Sequence, residues 1–237
     1  MEKRNYVLGY ALLAIGIVIA GWMMSRAVIR FKESERVVTV KGLSEREVPA
    51  DKVIWPLVYK EVGNNLTELY STIETTNKKI IDFLVSNGID RNDISVAPSN
   101  LVDLQADRYN SQPYKFRYNV TQAITVTSRN VELVRNLMSR QGDLLKQGIA
   151  ITADDYRYST QFLFTSDALN GIKPEMIVEA TKNARNSAEK FANDSNSKLG
   201  KIKWANQGQF SISNRDENSP QIKVVRVVTT IEYYLKD

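Results

Sequence analysis

Hydrophobic and polar positions follow two different patterns along this chain. From Tyr6 to Met24 (YVLGYALLAIGIVIAGWMM), nineteen residues carry no charge, amide or hydroxyl other than two tyrosine phenols. From Arg36 onward, apolar residues either alternate with polar ones or recur every three or four positions. The first pattern predicts a helix that is apolar on every side; the second predicts strands and amphipathic helices.

In the second region, Arg36 to Lys41 and Asp51 to Lys60 (DKVIWPLVYK) are rich in β-branched and aromatic residues and read as strands. Pro56 removes a backbone donor from the second strand, so an edge or a bulge is expected there. Asn65, with Glu68 three residues on, opens a helix in a capping-box arrangement. Its stripe is Leu66, Leu69, Ile73, Thr76, Ile80 and Leu84, and Asn87-Gly88 ends it. Strands follow over 94–104 and 114–127, then a shorter helix capped by Ser128 or Asn130, carrying Val131, Val134, Leu137 and Met138 and closed by Gly142. A long strand is expected over 149–165, then a third helix with Pro174 in its first turn and a stripe of Ile177, Ala180, Ala184, Ala188 and Phe191. Strands over 201–213 and 221–235 complete the chain.

The order ββαββαβαββ predicts an α+β fold preceded by one N-terminal transmembrane helix. Two intertwined lobes are expected, with helices packed on mainly antiparallel sheets. An anchor and connector would occupy 1–35 and the folded domain 36–237. The outer lobe would combine 36–105 with 206–237, and the inner lobe, ferredoxin-like in order, would span 113–205. The alternative is one continuous sheet with all three helices on one side.

The run from Tyr6 to Met24 would span about 28 Å as a helix, close to the hydrocarbon thickness of a bilayer. Tyr6 and Trp22 lie toward its ends, where amphipathic rings favour the headgroup level. A cleaved signal peptide has a shorter apolar core and a small-x-small site. Here Ile19-Ala20-Gly21 continues into Trp22-Met23-Met24, so an uncleaved anchor is expected, with secretion after cleavage as the alternative. Lys3 and Arg4 precede the run, whereas Arg26, Arg30, Lys32 and Arg36 follow it, but long domains translocate largely regardless of such charges. The expected orientation is N-terminus inside and C-terminus outside.

Charge adds little. The formal balance is +5, of which the first 35 residues hold +2, leaving 27 basic against 24 acidic groups in the remainder. No basic block stands out, so nucleic acid is not an expected partner. Composition excludes more: there is no His and no Cys. Thiol nucleophiles, disulfides, thiolate metal sites, Ser-His-Asp triads and imidazole acid–base catalysis are all ruled out. The remaining candidates are weak. Asp154 and Asp155 are adjacent, so in a strand they would face opposite ways. Asp51 after Pro49 reads as a turn-fixing residue, and Asp216-Glu217 beside Arg215 reads as a solvated loop. No catalytic, metal-binding or cofactor-binding residue is expected, and no enzyme.

One segment invites an interaction role. In Tyr109 to Tyr118 (YNSQPYKFRY), a strand from Tyr114 would place Tyr114, Phe116 and Tyr118 on one face and Lys115 and Arg117 on the other. Tyr109, Tyr114, Lys115, Phe116 and Arg117 are therefore candidate partner or oligomer contacts, set against the plainer reading of an aromatic face closing a core.

The succession of short motifs resembles the SIMPL-domain family. Val38 to Gly42 (VTVKG), Val48 to Asp51 (VPAD) leading into a strand, and a helix ending Asn87-Gly88-Ile89 look like the start of such a domain. Glu179 to Ala192 (EATKNARNSAEKFA), followed by Lys198 to Ile202 (KLGKI), is similar to its late Ala-rich helix and Leu-Gly turn. Where the family has a Pro-Asp pair, this chain has Pro49-Ala50-Asp51. The resemblance implies a bacterial envelope protein with a tendency to self-assemble and no established catalytic residues. The resulting expectation is an inner-membrane-anchored, non-catalytic structural or interaction module with its C-terminal domain in the periplasm, a homo-oligomer without cofactors. The alternative is an envelope solute- or ligand-binding domain with a pocket between the lobes.

Overall fold

A computed structural model describes residues 13–27, 36–106, 115–152 and 156–236. Residues 13–27 form helix α1, in which Leu13, Ile15, Ile17, Val18, Ile19, Trp22, Met23 and Met24 are all more than half exposed. Among the described residues, no helix is long and apolar enough to cross a membrane. The expected span begins at Tyr6, so its first part, Tyr6 included, lies outside the described residues.

The body is mixed α+β and contains two sheets rather than one continuous sheet. In the first, β10 (Ile222–Lys236) lies between β1 (Val37–Pro49) and β8 (Lys198–Gln207), and β9 (Ser211–Asn214) also pairs with β10. β1 runs antiparallel to β10: Leu235 N donates to Arg36 O and Ala50 N to Gln221 O, each at 2.8 Å. In the second sheet, β2 (Lys52–Gly63) pairs along its whole length with β5 (Tyr118–Ser128), antiparallel, from Val53↔Ser128 to Gly63↔Tyr118. The far edge of β5 takes two short strands in turn, β3 (Ile94–Val96) and β4 (Asn100–Asp103). The far edge of β2 takes β6 (Ile151–Thr152) and β7 (Gln161–Leu163). β7 pairs with Lys52 to Ile54 and β6 with Val58 and Tyr59. Pro56 thus falls in the gap between them, on a strand otherwise central, where a missing donor costs least.

By contact density the chain divides into two compact units. One comprises 1–45, 173–211 and 226–237; the other comprises 46–172 and 212–225. This partition differs from the expected lobes, since residues 46–105 group with 115–152 and the Ala-rich helix groups with the C-terminal strands. The long antiparallel β2–β5 pair explains the first grouping, because it joins the two segments along eleven opposed residues.

In the larger unit, the face of β2 carrying Val53, Trp55, Leu57 and Tyr59 packs with Ile124 and Val126 of β5. Three helices contribute to that core. α2 (Leu66–Ser86) supplies Ile80, Phe83 and Leu84 and buries Leu69, Ile73 and Thr76 nearer its start; α3 (Val131–Ser139) supplies Val134 and Leu137, and α4 (Gly142–Lys146) supplies Leu144. Asn65 caps α2, accepting from Thr67 N (2.9 Å) and Glu68 N (3.4 Å), while its amide donates to Glu68 Oε1 (3.2 Å). Gly88, at φ +96°, supplies the left-handed residue that ends α2. Asn130 caps α3 through Leu133 N at 3.1 Å. Gly142 opens α4 instead of closing α3, which already ends at Ser139.

In the smaller unit, α5 (Ser166–Asp194) packs Ala180, Ala184 and Ala188, each fully buried, with Val40 of β1 and with Ile231 and Tyr233 of β10. The approach is close. A Cβ on Gly42 would lie 1.9 Å from Ala180 O and 2.4 Å from Ala184 N, so no side chain fits there. The stripe recurs strictly every four residues from Met176 to Ala192, which leaves Phe191 exposed where burial was expected.

Two further expectations change. Pro174 lies inside α5, not in its first turn. The helix starts eight residues earlier because Thr165 caps it, its hydroxyl accepting from Ala168 N at 3.5 Å and its carbonyl from Leu169 N at 2.9 Å. The strand expected over 149–165 is two short strands separated by a 3-10 turn at Tyr156–Tyr158, and Asp154 and Asp155 lie outside the described residues.

Candidate interaction surfaces

Three surface features are built by these elements. The first is a groove of about 470 Å³ in the larger unit, between the first two turns of α2 and the β4–β5 edge. Its position follows from register. Leu101 opposes Val120 and Asp103 opposes Tyr118, so these side chains share the face on which α2 lies. Val120 forms a small core with Leu69 and Ile73, and Tyr118 packs against it. Leu66 and Tyr70 on α2 and Leu101 on β4 complete the apolar walls and remain 45%, 61% and 47% exposed. Polar groups in the lining come from Thr67 and Ser99.

Buried hydrogen bonds fix the groove. Gln122, 1% exposed, donates from Nε2 to Ala97 O (2.7 Å) and Ala123 O (3.3 Å) and accepts from the Ser99 hydroxyl. It therefore holds the break between β3 and β4. Tyr59, 2% exposed, donates its hydroxyl toward Ile73 O (3.0 Å) and Asn77 Oδ1 (2.9 Å), tying β2 to the middle of α2. Burial, reinforced by Glu61, pushes the Tyr59 phenol well above the usual range. The Tyr70 phenol is also raised, chiefly by its hydrogen bond to Glu74.

The second feature is the base of the β4–β5 hairpin. Arg117 grips Asp103 through Nε (3.2 and 3.1 Å) and Nη2 (2.9 Å), and Leu104 N donates to Arg117 O at 2.7 Å. Arg117 hydrogen bonding holds the Asp103 carboxyl below the usual range, and the guanidinium is raised in turn. Asn64 braces the same point, accepting from Arg117 N at 2.8 Å and donating to Lys115 O at 3.5 Å.

Of the sequence-derived contact residues, Lys115 and Arg117 are exposed and Phe116 is half-buried, whereas Tyr109 and Tyr114 lie outside the described residues. Residues 115–117 precede β5 and are not strand, so the alternation expected from Tyr114 begins only at Tyr118. Lys115 lies over the Phe116 ring (5.4 Å) and Arg117 over the Tyr118 ring (5.0 Å). Trp22 is 56% exposed in α1, with the Arg26 guanidinium 4.1 Å from its ring centroid. Asp51, expected to fix a turn, accepts from Thr165 N at 2.7 Å and from the Thr165 hydroxyl, so it anchors the residue that caps α5.

The third feature is β8 in the smaller unit. It lies at an edge of the first sheet and is exposed from Lys201 to Gln207. Trp204 opposes Glu232, and Ile202 opposes Tyr233 across an irregularity. Ile202 and Trp204 are 53% and 50% exposed. Lys203 approaches Glu232 Oε2 at 3.7 Å and lies 5.8 Å from the Tyr234 ring.

These features lie on a mixed α+β fold with antiparallel sheets, and among the described residues no group of three or more Asp or Glu side chains gathers to hold a metal ion. Residues 38–230 match the SIMPL family model, described as a protein of unknown function (DUF541). The match covers most of the chain, and the chain belongs to the SIMPL family, as its motif succession indicated. No curated protein matches it.

Proposed function

We propose that this SIMPL-family protein is a membrane-anchored module of the bacterial envelope, its body on the periplasmic side of the inner membrane, acting without catalysis through homo-oligomerisation. The observation that carries the reading is α1. From Leu13 to Met24 its side chains are apolar on all sides and the large ones are more than half exposed, and water is the wrong solvent for such a surface. The helix is the described part of an apolar run starting at Tyr6, long enough as a whole to match a bilayer. Trp22 and Arg26 near its end suit the headgroup region. Self-association draws support from β8, an edge strand with Ile202 and Trp204 half-exposed, since such edges are normally covered or paired.

Protease treatment of spheroplasts tests the anchoring. The body should be digested while the inner membrane is intact, and protection until lysis would overturn the orientation. Light scattering on the full chain in mild detergent tests assembly. A multimer weakened by Trp204→Lys is expected, and a monomer across micromolar concentrations would sink it.

A further inference from the structure

We propose that α5 carries a hinge between Gly171 and Pro174, at which the turns from Ser166 to Lys173 open and reclose while the alanine stripe stays docked. Helices in proteins are held mainly by the face they bury, and burial along α5 is sharply divided. Met176, Ala180, Ala184, Ala188 and Ala192 are at most 1% exposed, whereas no residue from Ser166 to Glu175 is buried. The boundary between the two compact units also crosses the helix here, between Ile172 and Lys173.

The sequence weakens the helix at that same place. Gly and Pro are the poorest helix formers, and Gly171 and Pro174 flank the boundary. Pro174 has no N–H for the helical ladder, and its ring crowds the carbonyl four residues back. Packing does not require Gly171. A Cβ there would meet nothing within 4 Å, whereas one on Gly42 would strike Ala180 O at 1.9 Å. What Gly171 contributes is backbone freedom beside a break in the ladder. The closed form has a latch at its other end. Thr165 accepts from Ala168 N and Leu169 N, and Asp51 accepts from Thr165 N and the Thr165 hydroxyl. A latch before Ser166 and a hinge after Lys173 bound a segment that opens as one piece, drawn from the low-stability end of the fold.

Because the chain has no Cys, spin labels on Ser166→Cys and Lys182→Cys, both exposed positions, report on α5 alone. Double electron–electron resonance would use the full chain in mild detergent, diluted with unlabelled chain so that only distances within one copy count. Two distances are expected. One matches a continuous helix, about 24 Å between backbone positions; the other is lost when Gly171→Ala and Pro174→Ala are combined. Hydrogen exchange should agree, with amides from Ala168 to Lys173 exchanging at least ten-fold faster than those from Ala180 to Ala192. The change should fall as a step at Pro174, not as a gradual fade from Ser166. The double variant should slow the first group at least ten-fold and leave the second unchanged. A single narrow distance in the parent chain, equal protection along α5, or a folded double variant indistinguishable from the parent would each overturn the hinge. The parent measurements decide the matter even if the double variant fails to fold, and neither readout depends on anchoring or assembly.

Discussion

Replacing Gly42 by Ala adds one methyl group at the tightest backbone approach in the smaller unit. The new Cβ would lie 1.9 Å from Ala180 O and 2.4 Å from Ala184 N, both backbone atoms that cannot rotate away. Reaching even a compressed 3.0 Å contact requires β1 and α5 to separate by about 1 Å, the shortfall between that limit and the observed approach. A radial gap of that size forfeits about a quarter to a half of each dispersion contact. The contacts affected include those of Ala184 and Ala188 with Val40, Ile231 and Tyr233. Overpacking of this kind costs about 1–3 kcal/mol. At a urea m-value of about 2 kcal/mol/M, a 2 kcal/mol loss moves the midpoint by about 1 M. Urea titration followed by circular dichroism would read the shift, with Gly142→Ala as control, because a Cβ there meets nothing within 4 Å. The control should lie within about 0.5 kcal/mol of the parent protein. Equal midpoints for the two variants would refute the close packing of α5 on β1.

Three other outcomes are expected. Asp51→Ala removes a charged acceptor from Thr165 N and the Thr165 hydroxyl, and should destabilise the chain by about 1.5–3 kcal/mol; hydrogen exchange at the start of α5 should quicken, and unchanged protection there would count against the capping role. Tyr59→Phe strips the donor from the buried bond to Asn77 and should cost about 1–2 kcal/mol in urea melts, with a neutral result showing that the bond adds nothing net. Asp103 has a lowered carboxyl pKa, so its pairing contributes above the ordinary carboxylate pKa of about 4 and is lost as pH falls through the folded value. Carboxyl NMR should show its midpoint below the usual range and moving upward in Arg117→Gln; an identical midpoint in the variant would remove Arg117 as the cause.

The elements were legible where local chemistry and burial agree. Asn65, Asn130 and Gly88 mark helix ends by hydrogen bonding and by φ, and the structure uses each for that purpose. Prediction failed where a long-range contact decides. Pro174 looked like a first-turn residue, but Thr165, set by Asp51 more than a hundred residues away, starts α5 earlier. The candidate groove was not foreseen, yet its signal was in the stripe of α2. Leu66 fits the apolar period but is 45% exposed, in the wall of the groove it shares with Leu101 of β4. No local pattern distinguishes a stripe position that lacks a lid. The motif at Lys115 to Arg117 misled for a related reason: its alternation suggested a strand, whereas Arg117 turns back to Asp103 and Asn64.

The two open edges make different demands on what covers them. β4 is short and uncharged apart from its neutralised Asp103, so pairing there meets no electrostatic objection. β8 reads KLGKIKWANQ, with Lys198, Lys201 and Lys203 and no acid. Under the proposed assembly, pairing β8 with β8 of a second copy would align six ammonium groups along one seam, with the pull of Glu232 on Lys203 as an offset. Lysines on an edge strand deter such self-pairing. A symmetric β8–β8 contact is therefore disfavoured, and copies would meet through unlike surfaces, the lysine edge of one against a different and more acidic face of the next. Heterologous contacts of that kind propagate from copy to copy and end only if the rotation closes. The apolar pair Ile202 and Trp204 then supplies the attraction, while the lysines set which surface can receive it.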